Sequence, residues 1–192
     1  MTGLKFEKTR IREEMLQKRL EIPAEVKSYA DDLMVKKLTS LISFRFAEAI
    51  LFFSPIKGEP DVTLAIEASL KAGKRIAFPK SDPETCIMTY KFVNSLDDLS
   101  LGAYGILEPR EDAESYIPSL YKHDVCLVPA VCFDKKGFRI GYGKGFYDRF
   151  LSNFGGTAVG LTMSSLLCDT LPRGKYDKAV NIIITEKGVI TL

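Results

Sequence analysis

The chain has 192 residues, 46% of them hydrophobic, and its 27 basic side chains against 25 acidic ones leave a formal charge of +2. That length and apolar content suit one folded domain over residues 1–192 with a sizeable core, and they exclude a disordered chain. Near-neutral charge supplies no broad field for gathering nucleic acid or anionic lipid, so neither is expected as a partner and any anion site must be local.

The four cysteines, Cys86, Cys126, Cys132 and Cys168, form no CxxC pair, and His123 is the single histidine, so no zinc centre is expected. Three of the thiols sit in or beside apolar runs (CIMTY, VCLV, AVCF), the setting of buried free cysteines in a reducing compartment. The charged N-terminus MTGLKFEKTRIREEM lacks an apolar signal segment, and no run approaches the ~18 apolar residues of a membrane span. A cytoplasmic location is the expectation.

In chain order, Phe6, Ile11, Met15, Leu16 and Leu20 predict a helix from about Leu4 to Leu20. Pro23 opens a second, whose stripe Val26, Ala30, Leu33, Leu38, Leu41 and Ile42 ends near Ser43. The run AILFF (Ala49 to Phe53) then reads as a strand buried on both faces, stopped at Ser54-Pro55. Asp61 is placed to cap a helix over VTLAIEASLKA, Gly73 to end it, and RIAFP (Arg75 to Pro79) to follow as a parallel strand. Further strands are predicted at Ile87 to Val93, Val125 to Phe133, Thr157 to Leu161 and Asn181 to Thr185, with a turn-rich excursion from Asn94 to Ser119. This succession points to an α/β sheet with helices on both faces. The basic cluster Lys71, Lys74 and Arg75 reads as solvated, and His123 carries no role.

The stretch RIGYGKGFYDRFL (Arg139 to Leu151) stands apart. Gly141, Gly143 and Gly145 at alternate positions form a loop that a ligand can approach closely, between the Val125 to Phe133 strand and a helix with Phe146, Phe150 and Phe154 on one face. Strand-loop-helix junctions favour phosphate through free N–H groups and the helix dipole. Neither a GxGxxG dinucleotide fingerprint nor a Walker loop fits this spacing. Lys144 offers a point charge to a phosphate and Arg139 a bidentate fork, while Asp148 beside them implies an intervening cation such as Mg²⁺.

With that loop, the chain resembles the 5-formyltetrahydrofolate cyclo-ligase family over nearly its whole length. KTRIR (Lys8 to Arg12) is similar to the family's N-terminal basic pair and KGEPD (Lys57 to Asp61) to its folate-loop glutamate. LGAYGILEP (Leu101 to Pro109) is similar to its Gly-x-x-Gly-Ile-x-Glu-Pro signature, and VPAVCFDKKG and LPRGKYDKAVNIIITE also fit. The resemblance implies a three-layer α/β/α domain with a mostly parallel central sheet, a fold shared with sugar-phosphate isomerases and CoA transferases. It also implies ATP- and Mg²⁺-dependent conversion of 5-formyltetrahydrofolate to 5,10-methenyltetrahydrofolate by a monomeric enzyme acting on small molecules.

The resemblance further implies that ATP binds to Lys8, Thr9, Arg10, Ile11 and Arg12 and to the run Arg139, Ile140, Gly141, Tyr142, Gly143, Lys144, Gly145, Phe146 and Tyr147. The folate falls to Ser54, Glu59, Tyr142, Gly143, Lys144, Gly145 and Phe146, with Lys144 and Arg139 as the catalytic residues. Asp148 and Asp177 are the implied metal ligands. Near the C-terminus the family's Pro-x-Glu-x-His-Asp pattern is reduced to Pro172, Gly174, Tyr176 and Asp177, so only the aspartate of its Glu/His/Asp trio remains, and Asn181 replaces a frequent aspartate. That departure leaves open a binding protein without turnover, and the shared fold leaves open a sugar-phosphate isomerase-like enzyme.

Overall fold

The computed structural model describes residues 3–118 and 123–192, so the Ser119 end of the expected excursion lies outside the described residues. Helices α1 (Gly3–Leu20) and α2 (Ala24–Ser40) open the chain, with Pro23 just before α2, where its missing N–H disrupts no helical bond. The predicted extension of α2 to Ser43 is interrupted because Leu41 turns extended (ψ 137°), and a short α3 (Ile42–Phe46) follows. After β1 (Ala49–Leu51), α4 (Thr63–Lys71) starts one residue later than expected, with Val62 at its N-cap, and Asp61 just before it accepts from both Thr63 N (2.9 Å) and Thr63 Oγ1 (2.6 Å). Gly73 at φ 69° ends the turn as expected.

Strands β2 (Arg75–Ser81) and β3 (Met88–Val93) form an antiparallel hairpin. The turn-rich excursion holds a ribbon of β4 (Leu99–Leu101) and β5 (Leu107–Pro109), then β6 (Ser115–Tyr116) on the sheet edge. Next come β7 (Val125–Val128), β8 (Cys132–Asp134), β9 (Arg139–Ile140), α5 (Phe146–Leu151), β10 (Thr157–Leu161), β11 (Leu167–Cys168), β12 (Ile182–Ile184) and β13 (Val189–Thr191). No helix among the described residues is long and apolar enough to cross a membrane.

Two further expectations are corrected. The single strand Val125 to Phe133 is two: Pro129 has no N–H to give a ladder, the chain breaks there, and β8 leaves the main sheet to pair with β9 and β11. The glycine loop therefore follows the short β9. Helix α5 spans six residues, so Phe154 lies beyond it and stacks on Phe150 with centroids 5.5 Å apart.

The main sheet runs β13-β12-β10-β7-β1-β2-β3-β6, parallel from β12 to β2 and antiparallel at both edges. Alternate side chains sort into two buried layers. Ile50, Ile76, Leu127 and Val159 pack with α2 and α4, whereas Leu51, Ala77, Cys126 and Ala158 pack with the α5 face. Continuous apolar strands are the consequence of this two-sided burial, which is why AILFF and RIAFP show no polar alternation. The four cysteines are free, with Cys126 and Cys132 fully buried.

From β1 the chain proceeds to β2 on one side, and from β7 to β10 on the other, so the strand order reverses between β1 and β7. Asp124 secures that seam at the amino ends of its strands, accepting from Ala49 N (3.1 Å) through Oδ1 and from the Tyr116 hydroxyl (2.7 Å) through Oδ2. Its carbonyl also accepts from Thr157 N at 2.8 Å. Asp124→Ala strands buried donors and is expected to cost about 2–4 kcal/mol of stability. Urea unfolding checks this, and a loss below about 1 kcal/mol would refute the clamp.

Candidate active site

Open parallel sheets bind ligands at the carboxyl ends of strands where their order reverses. Here the segments leaving β1 (Phe53, Ser54) and β7 (Pro129) and the carboxyl end of β2 (Pro79, Ser81) line a cavity of about 800 Å³. Helix α1 and the glycine loop complete its walls. A second depression at the opposite strand ends is lined by charges already paired, such as Arg75 with Glu114 and Arg110 with Asp112.

The glycine loop is shaped from below by Asp134, 1% exposed, whose carboxylate accepts from Lys136 N, Phe138 N and Leu171 N at 2.9–3.0 Å. Gly143 (φ 95°) and Gly145 (φ 71°) occupy the left-handed region, the conformation that only glycine takes without strain. Arg12 reaches over from α1, its Nε donating to Gly141 O at 2.7 Å. The Lys144 side chain is exposed, and its ammonium makes no hydrogen bond or ion pair among the described residues. It is a cation without a partner at the cavity wall.

Both acidic residues of the loop region are held by cations. Arg139 donates to Asp148 Oδ1 (2.8 Å) and to Lys178 O (2.7 Å), leaving three of its five N–H groups. Lys8 pairs with Asp177 Oδ2, which also accepts from Gly174 N (2.7 Å). The Lys178 amide donates to Asp148 Oδ1 at 3.1 Å, so the two aspartates sit side by side despite their separation in sequence. In the segment of residues 8–12, Lys8, Thr9 and Arg12 line the cavity. Arg10 instead pairs with Glu14 in solvent, and Ile11 packs with Ile140 and Leu171 in a small core.

Across the cavity, Lys57 (φ 47°) and Gly58 (φ 74°) form a tight turn closed by Glu59 N to Ile56 O at 3.0 Å, which drives Glu59 inward to 3% exposure. Its Oε2 accepts from Ile56 N (3.1 Å), while Oε1 is buried without a hydrogen bond. The Tyr142 hydroxyl and Arg19 Nη1 beside it are likewise unpaired. Burial raises the Glu59 carboxyl to about 7 against the Ile56 N–H bond and the nearby Arg19 charge, and it raises the Tyr142 hydroxyl to about 12. Unsatisfied buried polar atoms at a cavity wall are matched by polar groups of a ligand.

The remaining wall is the segment of residues 102–108. Ser54 Oγ donates to Leu107 O (2.7 Å), and the buried Glu108 accepts from Ser81 N (3.1 Å). Tyr104, itself at φ 58°, sets its ring 6.3 Å from Phe146. Gly102 presses so close to Glu108 that an added Cβ would stand 2.3 Å from its Oε2. Asn181 stays out of the site, its side chain accepting from Ala158 N at 2.8 Å.

Sequence reasoning passed over Arg19 and Glu108. Arg19 continues the Ile11, Met15 stripe of α1 at spacing four, a charge on an apolar face, and its Nη2 donates to Ala130 O and to Val131 O (2.7 Å) at the break after β7. That misplaced charge was the available signal. Glu108 stood within a quoted motif but gave no sign of its burial, which depends on contacts distant in sequence.

A carboxyl raised from 4.5 unfolded to about 7 folded contributes its favourable protonated term fully below 4.5, and that term is lost as pH rises through 7. Glu59→Gln is therefore expected to be more stable than the native chain by about 3 kcal/mol at pH 8 and to match it near pH 4. Thermal unfolding across that range checks the sign, and a pH-independent difference would refute it.

The chain matches the family model described as "5-formyltetrahydrofolate cyclo-ligase family" over residues 5–186. Curated relatives include the 5-formyltetrahydrofolate cyclo-ligases of Haemophilus influenzae, 30% identical over 87% of this chain and 91% of that protein, and of Escherichia coli K12, 31% identical over 74% and 80%. Among solved structures, the 5,10-methenyltetrahydrofolate synthetase of Aquifex aeolicus superposes with a TM-score of 0.82 at 33% identity, covering 96% of this chain and 92% of that one. Cavity, glycine loop, inward-turned glutamate and these likenesses agree: the chain belongs to the 5-formyltetrahydrofolate cyclo-ligase family.

Proposed function

We infer that this chain, acting as a single-domain monomer, uses ATP to close 5-formyltetrahydrofolate into 5,10-methenyltetrahydrofolate, releasing ADP and phosphate. One observation carries the reading: an unpartnered lysine on a glycine loop and a buried carboxylate with an unpaired oxygen face the same 800 Å³ cavity. The first suits a transferring phosphoryl group. The second suits the N–H and amino donors on the pyrimidine edge of a pterin.

A formyl amide has a weakly electrophilic carbon, and its oxygen leaves poorly. Phosphorylating that oxygen corrects both faults: the neighbouring aminobenzoate nitrogen then attacks the carbon, and the C–O bond breaks with phosphate leaving. The protein's part is placement and charge stabilisation. Lys144 and the Gly143 and Gly145 amides hold the transferring group, Lys8, Thr9 and Arg12 hold the remaining phosphates, and Tyr142, Phe146 and Tyr104 flank the rings. Ser54 spends its hydrogen on Leu107 O but keeps its oxygen lone pairs for the substrate.

Asp148 and Asp177 fit a magnesium shared with nucleotide. Each gives one oxygen to protein contacts, and Asp148 Oδ2 and Asp177 Oδ1 accept no hydrogen bond among the described residues. Those residues include no cluster of three or more acidic, His or Cys ligands, so phosphate oxygens and water would complete the shell. Asp148 and Asp177 would hold Mg²⁺, which would supply positive charge beside the nucleotide phosphates. The Pro172 to Asp177 departure thus retains its carboxylate beside Asp148, which favours turnover over mere binding.

Methenyl product should form with ATP and not without it. Lys144→Ala is expected to lower kcat by about 100-fold or more with an unchanged melting temperature, because the side chain is exposed. Near-normal kcat would remove Lys144 from its role. Asp148→Asn should raise the Mg²⁺ concentration needed for half-maximal rate, and an unchanged titration would take Asp148 out of the metal shell.

A further inference from the structure

Two arginines hold the glycine loop by its carbonyls, and one of them has no part in the site described so far. Arg149, on α5, donates from Nη2 to Lys144 O at 2.5 Å and from Nε to Cys86 O at 2.9 Å. Cys86, at φ 55°, lies in the turn between β2 and β3, and Met88 at the foot of that turn lines the cavity. A Cβ built on Gly145 would stand 3.2 Å from Arg149 Nη1, so the guanidinium lies directly against the loop.

The C=O and N–H of a trans peptide point in opposite directions. Drawing Lys144 O toward Arg149 therefore turns the Gly145 N–H the other way, and that N–H has no protein acceptor among the described residues. Arg12 does the same for the Gly141–Tyr142 peptide from the opposite side. Glycines at φ 95° and 71° offer little resistance to a peptide flip. A flip at residues 144–145 would present a carbonyl dipole where the phosphoryl group needs a donor. Arg149 is exposed, and water can serve both of its carbonyl partners, so its contacts matter more for loop conformation than for global stability.

We propose that Arg149 is a positioning residue for phosphoryl transfer: it locks the Lys144–Gly145 peptide with its carbonyl outward and its amide toward the cavity, and braces that lock on the β2–β3 turn. The inference rests on the reading that the glycine loop holds the transferring phosphoryl group.

The test compares Arg149→Ala, Arg149→Lys and Lys144→Ala by steady-state kinetics with ATP and 5-formyltetrahydrofolate, alongside thermal unfolding. Arg149→Ala is expected to lower kcat about 10- to 100-fold, keep KM for the folate within about twofold, and melt within a few degrees of the native chain. Arg149→Lys should fall between, since one ammonium reaches one carbonyl well, and added methylguanidinium should restore part of the Arg149→Ala rate. A kcat within about twofold of native for Arg149→Ala, or a deficit that methylguanidinium leaves untouched in the folded variant, overturns the proposal. An inactive Lys144→Ala beside a normal Arg149→Ala defeats this inference alone. An active Lys144→Ala defeats the reading of the loop, and the strut with it.

Discussion

The parallel pairing of β1 with β7 is the constraint on which the rest of the molecule depends. Their chains depart toward opposite edges, so no crossover covers the seam at its carboxyl ends, and the segments after Leu51 and Val128 must diverge. Pro129 enforces the divergence by ending β7, and Arg19 of α1 fills behind it by taking the freed carbonyls of Ala130 and Val131. One buried guanidinium thereby fastens the first helix to the strand break, and the aliphatic stem of the same side chain lies close to Gly58.

The cavity is built for anions without a strongly basic chain. Lys8 is paired with Asp177 and Arg139 with Asp148, two ion pairs that the proposed nucleotide and metal would have to separate. Lys144 alone among the loop's cations is unengaged. On the opposite wall Glu59 is kept short of a partner and near neutrality in its titration, which destabilises the empty fold above pH 7. Such a cost is characteristic of a site that binds polar groups selectively, since the unpaired oxygen rejects ligands without a donor.

The proposed phosphate side of the site relies on side chains more than on a helix. Helix α5 has six residues and a left-handed Gly145 at its start, so its dipole is small and its first turn is incompletely aligned. Backbone amides are presented instead by fixing individual peptides, with Arg12 and Arg149 each drawing one carbonyl out of the way. Glycine supplies the conformational freedom, and the arginines remove it again at two defined points.

Much of this was legible in local chemistry. Apolar runs bounded by proline and glycine marked β1, β2, β10 and β12 because strands buried on both faces need no polar alternation, and the α1, α2 and α4 stripes followed the helical period. Motif order identified the family and singled out the loop, Glu59, Asp148 and Asp177. Short-range pattern failed where a distant partner decides: the division of Val125 to Phe133 at Pro129 and the short α5. Residue types and their spacing thus determined which elements form and which chemistry they carry, because both depend on neighbours within a few residues. Tertiary structure alone decided that Lys178 brings Asp177 beside Asp148, that Arg19 stands behind Glu59 and that Arg149 braces Lys144, because hydrogen bonds and burial join atoms far apart along the chain.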